Sequence, residues 1–117
     1  MRQDDSVIVV LGTGGTIAGV APSAAQALGY TAAALGIQAL IDVLPEGGGA
    51  RLEAEQVAQV DSKDMSVATW QLLARRLQHH LGRAEVTGVV ITHGTDTLEE
   101  TAWFLQRVVE PQRPVVM

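Results

Sequence analysis

Short hydrophobic runs alternate with segments of helical spacing along the chain. Val7–Leu11 and Val89–Ile91 are rich in β-branched residues and stop at glycine or threonine, as buried parallel strands do. The pattern predicts, in chain order, a strand at 7–11, a helix ending before Pro45, a strand at 51–60, a helix after Ser66 that stops near Gly82, a strand at 88–92, a helix at 98–109 and a strand beginning at 115. Strands alternating with helices predict a three-layer α/β/α fold with a mainly parallel sheet.

The same pattern predicts helix caps and packing residues. Ser66 is expected to cap the second helix, and the spacing of Asp96-Thr97-Leu98-Glu99 resembles a capping box with Asp96 as N-cap. We expect packing roles for Trp70, Trp103 and Phe104, a packed and hydrogen-bonded His93, and solvated side chains for His79 and His80.

Composition narrows the class of protein. The chain of 117 residues is one domain at most, with 47% hydrophobic residues, a net charge of −5 and no cysteine. An acidic chain is not typical of a nucleic-acid partner, and no apolar run approaches the about 20 residues that span a membrane. Absent cysteines exclude disulfides, and three histidines without ligand spacing predict no metal site. The polar start, Met1–Ser6, predicts a cytoplasmic protein, or a periplasmic one if a signal peptide was removed.

Two hydroxyl-rich turns follow predicted strands, at Gly12–Gly19 and Thr92–Thr101. Ligands of open α/β sheets bind beyond the carboxyl ends of the strands, so the two turns predict one shared site. Thr16, flanked by glycines, is a candidate nucleophile or simply a turn residue. Thr95 and Asp96 place a hydroxyl beside a carboxylate, which suits a second nucleophile–base pair or the binding of an ammonium group. Backbone N–H groups at the following helix start could stabilise an oxyanion.

Three segments resemble one known family. Thr13–Gly19, His93–Thr97 and, between them, Asp61–Met65 are similar to the signatures of the L-asparaginase/glutaminase family, the bacterial amidohydrolases with a threonine nucleophile. The run Glu99–Ala102 is more similar to the high-affinity type. The resemblance implies that residues 1–117 are the N-terminal part of the family's large α/β domain.

The resemblance also implies roles at the reacting centre. Thr16 corresponds to the nucleophile, and Tyr30 to a lid tyrosine that lies beside the nucleophile when the lid closes. Thr95 would assist catalysis, and Asp96 would hold the substrate's α-amino group.

Ser62 and Lys63 are the substrate-binding candidates that the third segment implies. Ser62 corresponds to the residue that binds the α-carboxylate, whereas Lys63 stands where the family has glutamine or glutamate. A lysine could pair with the carboxylate, repel the α-amino group or point to solvent. The departure bears on the preference between asparagine and glutamine more than on the reaction.

The implied activity is hydrolysis of L-asparagine to L-aspartate and ammonia through an acyl-enzyme, without a cofactor. The family also uses a later lysine and an acid from a neighbouring subunit, neither of which this chain holds, so we expect a homotetramer at full length and an inactive isolated piece. The alternatives are a glutaminase-asparaginase, an amidotransferase subunit, a non-catalytic fragment and a nucleotide-binding module. The last rests on Gly12–Thr16 and lacks both the dinucleotide fingerprint and a P-loop lysine.

Overall fold

The computed structural model describes residues 5–14, 36–42, 44 and 49–117. Its elements are β1 (Val7–Gly14), α1 (Ile37–Asp42), β2 (Arg51–Val60), a 3-10 turn (Ser62–Asp64), α2 (Val67–Leu81), β3 (Val86–Thr92), α3 (Leu98–Val109) and β4 (Val115–Val116). The predicted order of strands and helices is confirmed. β1 runs on to Gly14 instead of ending at Leu11, because Gly12 and Gly14 still pair with β2. β3 begins at Val86, before the predicted start at Gly88.

The sheet is wholly parallel, with the strand order β2-β1-β3-β4. The chain passes from β1 to β2 on one side and then crosses to β3 on the other side. Strand order therefore reverses at β1 and β3. Open α/β sheets bind ligands in a crevice beyond the carboxyl ends of the strands at such a position, and we refer to this region as the crevice.

One face of the sheet carries the main core. Buried residues of β1 and β3 pack there against α2 and α3 and shield these apolar side chains from water. The core consists of Val7, Val9, Leu11, Leu73, Ala74, Leu77, Val86, Val89, Ile91 and Leu105.

Helix α1 covers the opposite face of the sheet. Gly12, between the core-facing Leu11 and Thr13, turns its Cα toward Ile37, and a Cβ built on it would lie 2.6 Å from the Ile37 Cβ. The Gln56 side chain accepts a 2.7 Å hydrogen bond from the Ile37 N–H and so fixes the first turn of α1 on β2. With helices on both faces, the three-layer α/β/α prediction is confirmed.

Three local predictions need correction. His80 is only 6% exposed and not solvated, because it lies on the same face of α2 as Leu73 and Leu77. Trp103 is 67% exposed instead of packed, with the Arg107 guanidinium 5.6 Å from its ring centroid.

The third correction concerns Asp96, which is not the N-cap of α3. The N-cap is Thr97, and its side chain makes no capping hydrogen bond. The predicted cap of α2 is confirmed, since the Ser66 side chain accepts a hydrogen bond from the Thr69 N–H.

Candidate functional site

The carboxyl ends of β1, β2 and β3 lie level at one edge of the sheet. Gly12 aligns with Thr92 of β3, and Gly14 aligns with Val60 of β2. The turns that follow β2 and β3 therefore flank the end of β1. Thr16 and Tyr30 lie outside the described residues. The remaining predicted site residues are Ser62, Lys63, Thr95 and Asp96, and the structure places all four in the two flanking turns.

Thr13 lies between the carboxyl ends of β1 and β3. Its side chain is 1% exposed, and its hydroxyl donates a 2.6 Å hydrogen bond to the Thr92 carbonyl. The Thr13 hydroxyl proton is thus already used in a hydrogen bond between β1 and β3. Thr13 joins the two strand ends, and sequence reasoning attached no role to it.

Ser62 joins the turn after β2 to the turn after β3. It is 2% exposed, and its Oγ accepts a 3.0 Å hydrogen bond from the Asp96 N–H. Its carbonyl accepts a 2.9 Å hydrogen bond from the Thr97 hydroxyl. The Asp96 N–H, which the Glu99 side chain would bind in a capping box, is bound to Ser62 instead.

Thr95 and Asp96 combine a fixed backbone with free side chains. Both side chains are exposed. Within the described ranges neither side chain takes part in a hydrogen bond or ion pair, whereas the Asp96 N–H is held by Ser62. A hydroxyl and a carboxylate are thus presented together at the crevice, where an ammonium group of a ligand could pair with the carboxylate.

Lys63 places a cation next to this pair of turns. Its side chain is exposed, and it forms no ion pair with any residue that the structure describes. Its backbone N–H donates to the Asp61 carboxylate at 3.2 Å, which shapes the turn that carries Ser62. The Lys63 ammonium is therefore available to a ligand carboxylate or to solvent.

His93 is packed and hydrogen-bonded, as predicted. It is 7% exposed, its Nδ1 lies 2.5 Å from the Gly94 carbonyl oxygen, and its Nε2 lies 2.8 Å from the Thr101 Oγ1. The Trp70 indole N–H donates to the same Thr101 oxygen at 2.8 Å. Sequence reasoning did not find Thr101, although its place on the buried face of α3, four residues before Leu105, was a signal.

A second polar cluster lies between the middle of β2 and the second half of α2. The Arg76 guanidinium binds Glu55 bidentately, and the His80 Nε2 lies 3.4 Å from the same carboxylate. Hydrogen bonding to Arg76 holds the pKa of Glu55 below its usual value. Burial lowers the pKa of His80, although the neighbouring Glu55 carboxylate acts to raise it. Because the Glu55 carboxylate is already bound by Arg76 and contacted by His80, the cluster has a structural role.

Neither a metal site nor a membrane helix is found in the parts of the chain that the structure describes. No group of three or more histidine, cysteine, aspartate or glutamate side chains there could hold a metal ion. Among the same residues, no helix is long and apolar enough to cross a bilayer.

These features define a parallel α/β domain whose polar site is built from hydroxyls and a carboxylate at a topological switch point. The chain belongs to the asparaginase family, since the family model described as asparaginase, N-terminal, matches residues 7–117. The match includes Gly12–Thr16, the segment on which the nucleotide-binding alternative rested, and that alternative thereby loses its support.

Relatives of this chain are named as asparaginases and glutaminase-asparaginases. It is 41% identical to L-asparaginase 2 of Bacillus subtilis, over 99% of the chain and 31% of the relative. It is 44% identical to the glutaminase-asparaginase of Pseudomonas fluorescens, over 94% of the chain and 31% of the relative. The crystal structure of the probable cytoplasmic L-asparaginase from Campylobacter jejuni superimposes with a TM-score of 0.76 at 46% identity, covering 86% of this chain and 31% of that one. The chain thus spans about a third of the length of the relatives it matches.

Proposed function

We propose that this chain is the N-terminal part of an amidohydrolase that converts L-asparagine to L-aspartate and ammonia. The observation that carries the proposal is the pair Thr95 and Asp96, whose side chains are exposed while their turn is hydrogen-bonded to Ser62. A fixed backbone with unoccupied functional groups is what a preorganised binding site requires. The family to which the chain belongs supplies the reaction type.

In the proposed reaction, the Thr16 hydroxyl oxygen attacks the side-chain amide carbon of asparagine. The C–N bond breaks, the nitrogen leaves as ammonia with the proton from Thr16, and an ester joins Thr16 to the aspartyl group. Water then cleaves this ester, releases L-aspartate and restores the hydroxyl. Tyr30 would lie beside the nucleophile when the segment between β1 and α1 closes over the substrate.

The two described turns would bind the amino-acid end of the substrate. Asp96 is suited to the α-ammonium group, and Thr95 beside it would assist the reaction. No acceptor for the Ser62 O–H is found among the described residues, so this proton can be donated to the α-carboxylate. Lys63 would add a positive charge near the same carboxylate.

The whole protein would provide what this chain lacks. We propose a later lysine and an acid from a neighbouring subunit for proton management, within a homotetramer that has the high substrate affinity suggested by Glu99–Ala102. On this account the 117-residue chain alone releases no ammonia. The cytoplasm is the proposed compartment, the one for which the Campylobacter jejuni enzyme is named.

L-Glutamine is the second candidate substrate. The relative at 44% identity is named glutaminase-asparaginase, which supports L-glutamine as a substrate beside L-asparagine. Lys63 lies near the proposed carboxylate site, and its replacement by glutamine would test the preference between L-asparagine and L-glutamine.

The test is ammonia release from L-asparagine and L-glutamine by the full-length protein and its Asp96→Asn variant. Loss of the carboxylate should raise KM for L-asparagine at least about a hundredfold, since a charged contact to the substrate disappears. Asp64→Asn is the matched control, because Asp64 is an exposed carboxylate of the neighbouring 3-10 turn. Equal effects of both variants, or an inactive wild-type protein, would overturn the proposal.

A further inference from the structure

We propose that Thr101 is a positioning residue that sets the backbone of the Thr95 turn through His93. The inference rests on the proposed function, because its consequence is measured as turnover. Thr101 is fully buried in α3 and does not face the crevice, so its effect has to pass through other residues.

Three elements meet at the Thr101 hydroxyl. The Trp70 Nε1 of α2 lies 2.8 Å from Thr101 Oγ1, and the His93 Nε2 of the segment after β3 also lies 2.8 Å from it. The His93 Nδ1 lies 2.5 Å from the Gly94 carbonyl oxygen. Trp70 is itself fixed by stacking on Phe104, with ring centroids 5.2 Å apart.

Trp70, Thr101, His93 and Gly94 form a chain of hydrogen bonds, which we call the relay. Its donors and acceptors follow from the groups at its two ends. An indole N–H can only donate, so the Trp70 N–H donates to the Thr101 oxygen. A carbonyl oxygen can only accept, so the proton of a neutral His93 ring is on Nδ1 and donates to Gly94. Nε2 then accepts the proton of Thr101. The relay runs from Trp70 through Thr101 and His93 to Gly94, with every donor used.

The relay ends next to the residue whose side chain is free. Gly94 has no side chain to restrict its own backbone, so the bond from His93 fixes its carbonyl. Ser62 fixes the Asp96 N–H on the other side of Thr95. The peptide before Thr95 and the peptide after it are thus each held by one hydrogen bond, and the Thr95 hydroxyl is oriented by both. Loss of the relay should therefore reduce turnover more than substrate binding, since the Ser62 bond remains.

The test compares Thr101→Val, Thr101→Ser and Thr87→Val in the full-length protein. Valine keeps the shape of threonine and removes the hydroxyl, whereas serine keeps the hydroxyl. Thr87→Val makes the same chemical change at an exposed position of β3, where the hydroxyl lies 3.4 Å from the Val7 carbonyl oxygen. For L-asparagine we expect kcat to fall at least about tenfold in Thr101→Val with KM within about threefold, and kcat to return in Thr101→Ser. Trp70→Phe should give a smaller loss, because the contact between Thr101 and His93 remains.

Two outcomes would overturn the inference while leaving the proposed function intact. One is a Thr101→Val protein that melts at lower temperature but keeps the wild-type kcat, which would show a purely structural role. The other outcome depends neither on turnover nor on the folding of any variant. It is a set of ring ¹⁵N spectra of histidine-labelled wild-type protein that place the His93 proton on Nε2. A wild-type protein that releases no ammonia would instead refute the proposed function, and the ¹⁵N spectrum would still test the relay.

Discussion

The side-chain oxygen of Ser62 accepts a 3.0 Å hydrogen bond from the backbone N–H of Asp96, 34 residues further along the chain. Ser62 and Asp96 follow different strands, β2 and β3, with β1 between them in the sheet. The bond therefore joins two turns across the end of the central strand. It makes the position of the Asp96 carboxylate depend on a buried serine, and several consequences can be measured.

Replacing Ser62 by alanine should impair both stability and substrate binding. The Asp96 N–H would lose its partner at a partly buried position, at a cost of about 1 kcal/mol in the free energy of unfolding. The turn would also loosen, and KM for L-asparagine should rise at least about tenfold. Denaturant unfolding and steady-state kinetics measure the two effects.

Ser66→Ala is the matched control for this variant. Ser66 caps α2 from an exposed position, so its loss should cost about 1 kcal/mol of stability and leave KM unchanged. If both variants raised KM alike, the link between Ser62 and Asp96 would not be the cause.

Gly12 is predicted to tolerate no side chain. A Cβ there would lie 2.6 Å from the Ile37 Cβ, so Gly12→Ala must displace α1 or bend β1, with a loss of about 1–3 kcal/mol. At Gly36 the nearest neighbour of a new Cβ, the Gln56 Oε1, is 3.8 Å away, and Gly36→Ala should change stability by less than about 0.5 kcal/mol. Equal unfolding free energies for the two variants would contradict this packing of α1.

Glu55 makes stability depend on acid pH. Its pKa is lowered from 4.5, mainly by the hydrogen bond from Arg76, so its contribution is fully present above pH 4.5 and is lost as pH falls through the lower folded value. Glu55→Gln should lower the melting temperature at pH 7 and flatten its decline below pH 4.5. Glu100→Gln, which removes an exposed carboxylate from the first turn of α3, should retain the wild-type slope.

His80 makes stability depend on pH in a second range, below pH 6.5. Burial lowers its pKa from 6.5, so the unfolded chain takes up a proton more readily than the folded one, and stability decreases as pH falls below 6.5. His80→Gln removes this titration and should make the melting temperature less dependent on pH just below 6.5. His79→Gln, at the exposed neighbouring position, should not. A wild-type slope in His80→Gln would show that another group dominates this range.

The fold could be predicted from the sequence because β1 and β3 are compact apolar runs, β2 alternates in part, and α2 and α3 each have a clear apolar stripe. Long-range partners could not be predicted in the same way. Asp96 has the spacing of an N-cap, yet Ser62 binds the Asp96 N–H that the Glu99 side chain of a capping box would use. His80 looked solvated within a polar segment, although its spacing from Leu73 places it on the buried face of α2.

The site residues also differ in whether a short stretch of sequence predicts their position or whether it depends on tertiary packing. That Thr95, Asp96 and Ser62 lie near one another could be predicted from short motifs, because their segments follow β2 and β3, the two strands that flank β1. The contacts of Thr101 with Trp70 and His93 could not be predicted from motifs, because they depend on how α2 packs on α3. The predicted roles of Thr16 and Tyr30 lie outside the described residues and stay predictions.

The most direct test of the account is ammonia release from L-asparagine by the full-length protein and its Thr16→Ala variant. We predict a wild-type enzyme whose kcat falls at least about a thousandfold in the variant, because the hydroxyl that forms the acyl-enzyme is gone. The variant should still be stabilised against heat by L-aspartate, since Ser62 and Asp96 remain. A Thr16→Ala protein with wild-type turnover would contradict the central claim.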